Sequence, residues 1–225
     1  MNQVGQGGAG RDGSPVGARG ARGVGMLARI GATPSRAIVQ KATATLVVVS
    51  LSMALLVFDL AGGLEHGSGR PLAVTVRLAG GWTTAAIALT WLTLAPRRAR
   101  PSPALLAASA TAAPLGLFAW MQRFHESYFV PLEGAAYGCV ALTLGLALLP
   151  FVGFFALHRG VGSGRAGPLG AAAGAACGAW AGVVVELWCP VTSAVHALVG
   201  HAAPVALLVV AGTLAGARLL AAPAS

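Results

Sequence analysis

Acidic residues are scarce in this chain: six Asp and Glu stand against 15 Lys and Arg, and charged types of both signs make up only 9% of its 225 residues. A soluble domain of this length needs far more charge on its surface, and here 56% of residues are hydrophobic, with a mean hydropathy of +0.75. An integral membrane protein is predicted. Cysteine is sparse as well. Three cysteines without a CxxC pair or an even framework exclude a disulfide-stapled scaffold, a zinc finger and a thioredoxin-like motif. There is no Ser-His-Asp order, no HExxH, no phosphate loop and no pair of acids inside an apolar run, so no enzyme is expected. Ionisable residues are also missing from the middle of the apolar runs, where a carrier needs them.

Six apolar runs are present, each long enough to cross roughly 30 Å of hydrocarbon at about 1.5 Å per residue. They lie near Ala42 to Leu60, Arg77 to Ala95, Ala104 to Met121, Ala135 to Leu157, Leu169 to Leu187 and Ala197 to Leu219. The predicted fold is an all-α integral membrane bundle of six transmembrane helices over residues 42–219, with a short tail at 220–225. Residues 1–41 are rich in Gly and Arg and lack a sustained apolar period, which predicts a mostly disordered arm with, at most, a short helix from Gly25 to Ile30. Thr33-Pro34-Ser35 reads as the break or cap before the first span. The first apolar run begins too late for a signal peptide.

The cations divide by side. Arg11, Arg19, Arg22, Arg29, Arg36, Lys41, Arg97, Arg98, Arg100, Arg159, Arg165 and Arg218 fall on the side of the termini. Only Arg70, Arg123 and the marginal Arg77 fall opposite, together with five of the six acids: Asp59, Glu65, Glu126, Glu133 and Glu186. The asymmetry predicts six spans with both termini cytoplasmic. It also accounts for the net charge of +9 without nucleic acid, and no direct nucleic-acid partner is expected. The partner on every side is the lipid bilayer.

The fifth run carries Gly170, Gly174, Gly178 and Gly182, one every four residues, with Ala171, Ala175 and Ala179 alongside. Small residues in register let backbones approach closely, which is how helices associate in lipid. This helix is therefore expected at the centre of the bundle. Gly134 and Gly138 on the fourth helix and Gly212 and Gly216 on the sixth are candidate matching surfaces, making helices four to six the expected packed unit. Successive members of the row rotate by about 40°, and the next member is Glu186.

Chemistry concentrates at the end of that helix. Glu186-Leu187-Trp188-Cys189-Pro190, His196, Gly200-His201 and Pro204 bring a carboxylate, a thiol, an indole and two imidazoles into a short connection between apolar runs. It reads either as a polar interfacial turn, with Trp188 as anchor and Pro190 as helix stop, or as a site. Cys139, about one turn into the fourth helix, falls on the same side as Cys189, so a disulfide, a redox or metal-sensing pair, or two inert buried thiols all fit. Cys177 is about 18 Å down the helix from Cys189 and reads as a packing residue in the glycine groove. His196 and His201 are five apart, about 140° around an α-helix, and share no ligand face unless a break intervenes. With Cys139, Cys189 and Glu186 they are the candidate supporting ligands of a thiophilic metal ion. The plain alternative is a hydrogen-bonded cluster in which His201 donates to a carbonyl one turn before Pro204.

From Ala32 onward the chain resembles the NrsF-like proteins, six-span bacterial membrane anti-sigma factors of the negative-regulator-of-sigma-F type. The resemblance rests on Thr33-Pro34-Ser35-Arg36, Phe118-Ala119-Trp120, Cys139 with Leu142-Thr143-Leu144, the Gly/Ala run, and above all Leu187-Trp188-Cys189-Pro190, His196, Gly200-His201 and Pro204. It implies an inner-membrane negative regulator that captures an extracytoplasmic-function sigma factor. Release would follow redox or metal stress sensed by the outward-facing Cys139 and Cys189. A small carrier or structural bundle without a sigma partner is the alternative. One departure from the family matters. Its cytoplasmic N-terminal segment is expected to hold the sigma factor through an amphipathic helix, whereas residues 1–31 are basic and broken by glycine. Either Met26 to Ile30 and the Arg97 to Arg100 loop replace that contact, or sigma binding is lost.

Overall fold

The computed structural model describes residues 36–60, 62, 70–95, 99, 101–124, 135–159, 163–191 and 193–221. All the secondary structure among them is helical. Six helices are long and apolar enough to cross a membrane: α1 (Arg36–Leu60), α2 (Leu72–Leu94), α3 (Pro103–Gln122), α4 (Ala135–Leu157), α5 (Ser163–Trp188) and α6 (Ala194–Leu220). The expected N-terminal arm up to residue 35, its short helix and the break at Thr33-Pro34-Ser35 lie outside the described residues. So do Glu65, Glu126, Glu133, Gly134, Thr192 and the arginines at 97, 98 and 100.

The helix ends follow local chemistry. Ser102 caps α3 by accepting from Leu105 N at 3.1 Å, and Pro103, whose missing N–H costs nothing in a first turn, opens the helix. Proline also precedes α2, where Pro71 stands immediately before Leu72. The second helix thus begins at Leu72, five residues before the Arg77 that the apolar count expected, and the added residues are mostly exposed. At α1 the helix starts at Arg36, six residues before the apolar run, because a helix continues past an apolar stretch wherever its backbone can keep bonding.

α5 is the axis of the bundle. Ala171 to Ala179 is buried without interruption, and α2, α3, α4 and α6 all pack against this helix. A helix buried on every side has no polar face to keep in solvent, which suits its Ala- and Gly-rich sequence. The glycines decide how close each neighbour comes. A Cβ on Gly170 would collide with the carbonyl oxygen of Gly212, and one on Gly174 with that of Leu208, so α6 lies directly on the α5 backbone, antiparallel to it. Gly178 faces Val205 and the Leu208 side chain, where a Cβ would come within 3.2 Å. Gly182 faces elsewhere: its notch receives the Trp82 ring of α2. Gly212 and Gly216 meet Gly170 and Ala166 from the other side.

Two expectations about packing need correction. Gly138 is exposed with nothing within 4 Å of where its Cβ would stand, so the fourth helix does not answer the groove through that residue. The packed unit is also wider than helices four to six. α2 joins it through Trp82, fully buried, and through Trp180 Nε1, which donates to Thr90 Oγ1 at 3.0 Å. An aromatic ring filling a glycine notch leaves no periodic signal in the sequence, whereas small residue against small residue does. α1 is the outlying helix. Its apolar side chains, including Val47, Leu55, Leu56 and Leu60, stay exposed, and Leu46 is seated over Gly153 of α4. Such faces suit contact with lipid tails.

Candidate functional site

The start of α2, the start of α4, the end of α5 and the start of α6 meet at one end of the bundle. Cys139 sits on the second turn of α4 with its side chain buried. α5 carries Glu186 in its last turn and runs into Cys189, whose N–H still bonds Val185 O at 2.7 Å before Pro190 prevents continuation. Ser193 then caps α6, its hydroxyl accepting from His196 N at 3.4 Å.

The first turns of α6 are not α-helical. Ala197–Ala202 forms a π-helical turn, and Pro204 opens the α-helical Ala203–Ala215 beyond it. A π turn bonds i to i+5, so residues five apart stack instead of diverging. His196 and His201, about 140° apart on an ideal α-helix, are thereby brought to one face with ring centroids 5.1 Å apart. Pro204 fits this arrangement because it has no N–H to lose where the helical register changes. Gly200 leaves the room: a Cβ there would come within 3.2 Å of His196 Nε2 and 3.3 Å of Cys139 Cβ.

His196 Nε2 lies 3.1 Å from Cys189 Sγ and 3.5 Å from Cys139 Sγ. One ligand atom each from Cys139, Cys189, His196 and His201 falls within a mutual 4.8 Å, and all four residues are buried. The three cysteines are free thiols. Beyond the end of α5, the hydrogen bond to Cys139 together with burial pushes the Cys189 thiol up to about 11, against the opposing pull of His196 and His201. At neutral pH Cys189 therefore keeps its proton unless a cation displaces it.

Behind the histidines is a charged layer. His201 Nδ1 lies 2.9 Å from Glu186 Oε1, off the line of a hydrogen bond. Arg70 Nη1 meets Glu186 Oε2 at 3.4 Å, Nη2 donates to the Glu186 carbonyl, and Nε donates to Thr75 Oγ1 at 3.1 Å. The carboxylate is wholly buried and the guanidinium nearly so. A carboxylate in such a place demands a counter-charge, and Arg70 supplies it from the residue before Pro71. Trp82 closes the inner side, its ring centroid 6.3 Å from that of His201.

The sequence candidates thus separate into layers. Cys139, Cys189, His196 and His201 converge. Glu186 stands outside that group, behind His201, instead of beside the thiols as a fifth ligand. The plain alternative for His201 does not hold: neither ring nitrogen hydrogen-bonds a carbonyl, and the ring faces Glu186 and Cys189. Cys177 lies with Ala147, Ala181 and Leu208, remote from the other two. Arg70 and Trp82 were not singled out from sequence. The signal for Arg70 was there, since an acid ending a spanning helix calls for a cation on the same side, and few are available.

Comparison with known proteins gives one positive result. The family model for negative regulators of sigma F matches residues 26–221, nearly the whole of the chain. No curated protein and no solved structure matches it.

Proposed function

Because the chain belongs to the NrsF family of negative regulators of sigma F, we propose that it is a membrane-embedded anti-sigma factor of the bacterial inner membrane. In this reading it holds an extracytoplasmic-function sigma factor at the cytoplasmic face and releases it when redox or metal stress reaches Cys139 and Cys189. The family is one of regulators and not of enzymes. The observation that carries the sensing part is the convergence of both thiols with two imidazoles at a single end of the bundle.

Charge supports the orientation. Arg159, Arg165 and Arg218 are exposed at the ends of α4, α5 and α6 remote from the thiols. At the thiol end Arg70 is neutralised by Glu186. A basic end faces the cytoplasm in most membrane proteins, which supports a reading with the thiols at the outer face. For the sigma factor, the matched segment begins at residue 26. Met26 to Ile30 therefore belongs to the family region although the arm before it does not, which supports the reading that it, together with the Arg97 to Arg100 connection, is the sigma contact.

α5 touches both ends, and its close packing on α6 makes it the natural carrier of a signal. A bond or ligand at Cys139 and Cys189 acts only through its differential stability in two arrangements of the bundle. A difference of about 1–3 kcal/mol changes partner affinity roughly 5- to 150-fold. The test is transcription from the partner's promoter with and without oxidant or cadmium. Cys139→Ser and Cys189→Ser are each expected to abolish the response, with the double variant no worse than either, while Cys177→Ser keeps it. A double variant that responds as fully as wild type would refute the sensing role.

A further inference from the structure

The geometry points to a closed four-ligand site, formed by Cys139, Cys189, His196 and His201, for a divalent cation of the zinc and cadmium class, with Glu186 and Arg70 as its supporting layer. The inference builds on the reading of Cys139 and Cys189 as sensing thiols and specifies what they hold and which other residues complete the site.

Distances are the first argument. Zinc bonded tetrahedrally to sulfur at about 2.3 Å and to nitrogen at about 2.0–2.1 Å has S···N edges of about 3.6 Å and an S···S edge of about 3.8 Å. The two edges from His196 Nε2 to the thiols are 3.1 and 3.5 Å, and no edge of the four exceeds 4.8 Å. Closing such a cage around an ion moves any ligand pair by no more than about 1.5 Å. An orphaned nitrogen is the second argument. His201 Nε2 is buried and, although the ring faces the Cys189 thiol, makes no hydrogen bond of good geometry, an arrangement that is costly unless something else binds it. With Nδ1 turned to Glu186, Nε2 is the nitrogen left for a ligand.

The surroundings follow the same logic. A metal-binding histidine commonly presents its second nitrogen to a carboxylate, which fixes ring and tautomer, and Glu186 occupies that place for His201. Glu186 is itself fixed by Arg70 from another helix. Two backbone features make the site: the π turn that aligns the histidines and Gly200, which keeps a side chain out of the space between His196 and Cys139.

Charge selects the ion. On loading, the two S–H bonds break, two M–S and two M–N bonds form, and two protons leave to solvent with no change in oxidation state. Two thiolates, two neutral imidazoles and a divalent ion sum to zero, and the Arg70–Glu186 pair is neutral on its own. A monovalent soft ion such as Cu(I) would leave one negative charge buried in an apolar bundle. Calcium and magnesium require oxygen ligands that the site lacks.

The test uses the full-length protein, purified in detergent with reductant, stripped by chelator and titrated with Co²⁺ as a spectroscopic probe. One equivalent is expected to produce a thiolate-to-cobalt charge-transfer band and the intense visible bands of a tetrahedral centre, with Zn²⁺ and Cd²⁺ displacing it. His196→Ala and His201→Ala are each expected to abolish the tetrahedral bands. Glu186→Gln keeps them with affinity lowered about 10- to 100-fold, and Cys177→Ser leaves them unchanged. Protection of Cys189 from maleimide by Zn²⁺ in native membranes gives a second readout for any variant that does not survive purification. Absence of the bands in wild-type protein with titrated free thiols overturns the site, as do histidine variants that bind cobalt like wild type. Loss of the site under the first result, with sigma release by oxidant intact, leaves the sensing reading standing. Cobalt binding as described, without sigma release by any stress, retires that reading and keeps the site.

Discussion

At the residue scale, the arrangement around Glu186 shows how one buried charge organises its neighbours. The carboxylate is wholly buried, Arg70 reaches it from the head of α2, and the same guanidinium ties the carbonyl of Glu186. Removing one partner of such a pair leaves an uncompensated charge and costs about 3–5 kcal/mol, whereas replacing both with apolar residues is often close to neutral. Arg70→Met and Glu186→Leu are therefore each expected to destabilise the bundle strongly, and the double variant to recover most of the loss, measured by thermal unfolding in detergent. Additive losses in the double variant would show that the pair is not coupled. This layer was half legible in the sequence. Glu186 was conspicuous as an acid at the end of an apolar run, but its partner lies 116 positions earlier, and only a fold shows which of the few outer cations reaches it. The histidines could be joined from sequence only on the condition of a break in the helix. An α-helical wheel separates His196 from His201, and the π turn that reunites them has no sequence signature beyond a glycine and a following proline.

At the scale of elements, the glycine row grades its own consequences. Gly170 and Gly174 face carbonyl oxygens of α6, which cannot move without moving the helix. Gly178 faces side chains and a Cα at 3.2 Å, where a few tenths of an ångström suffice, and Gly138 faces open space. Substitution by alanine is expected to destabilise in that order. Gly174→Ala should lose about 1–3 kcal/mol or more, Gly178→Ala less, and Gly138→Ala nothing beyond the small gain of a better helix former. Melting temperatures of the purified variants check the ranking, and equal effects at 174 and 138 would contradict it. The six long apolar helices were legible because a run of about twenty apolar residues has helix as its stable solution in a bilayer. The fourth helix falls at Ala135–Leu157, where the apolar run lies. What was not legible was the role of α2. Its contact is a tryptophan in the Gly182 notch, a pairing of large with small that no period in either helix announces.

For the whole molecule, the proposed signalling depends on which end faces out. Arg70 and Glu186, Cys139, Cys189, His196 and His201 occupy one end, and the exposed Arg159, Arg165 and Arg218 the other. If the basic end is cytoplasmic, the thiol end meets the compartment where oxidants and free metal ions arrive, and the partner is held where transcription occurs. Single cysteines introduced into a variant lacking Cys139, Cys177 and Cys189 test this directly. A membrane-impermeant maleimide added to intact cells, with the outer membrane opened, is expected to label positions 65, 126 and 192. Positions 98 and 165 should react only after the inner membrane is permeabilised. Labelling at 165 from outside would invert the molecule. The four-ligand site would then face the reducing cytoplasm, where its thiols meet glutathione and the buffered metal pool, and an envelope signal would have no route to it.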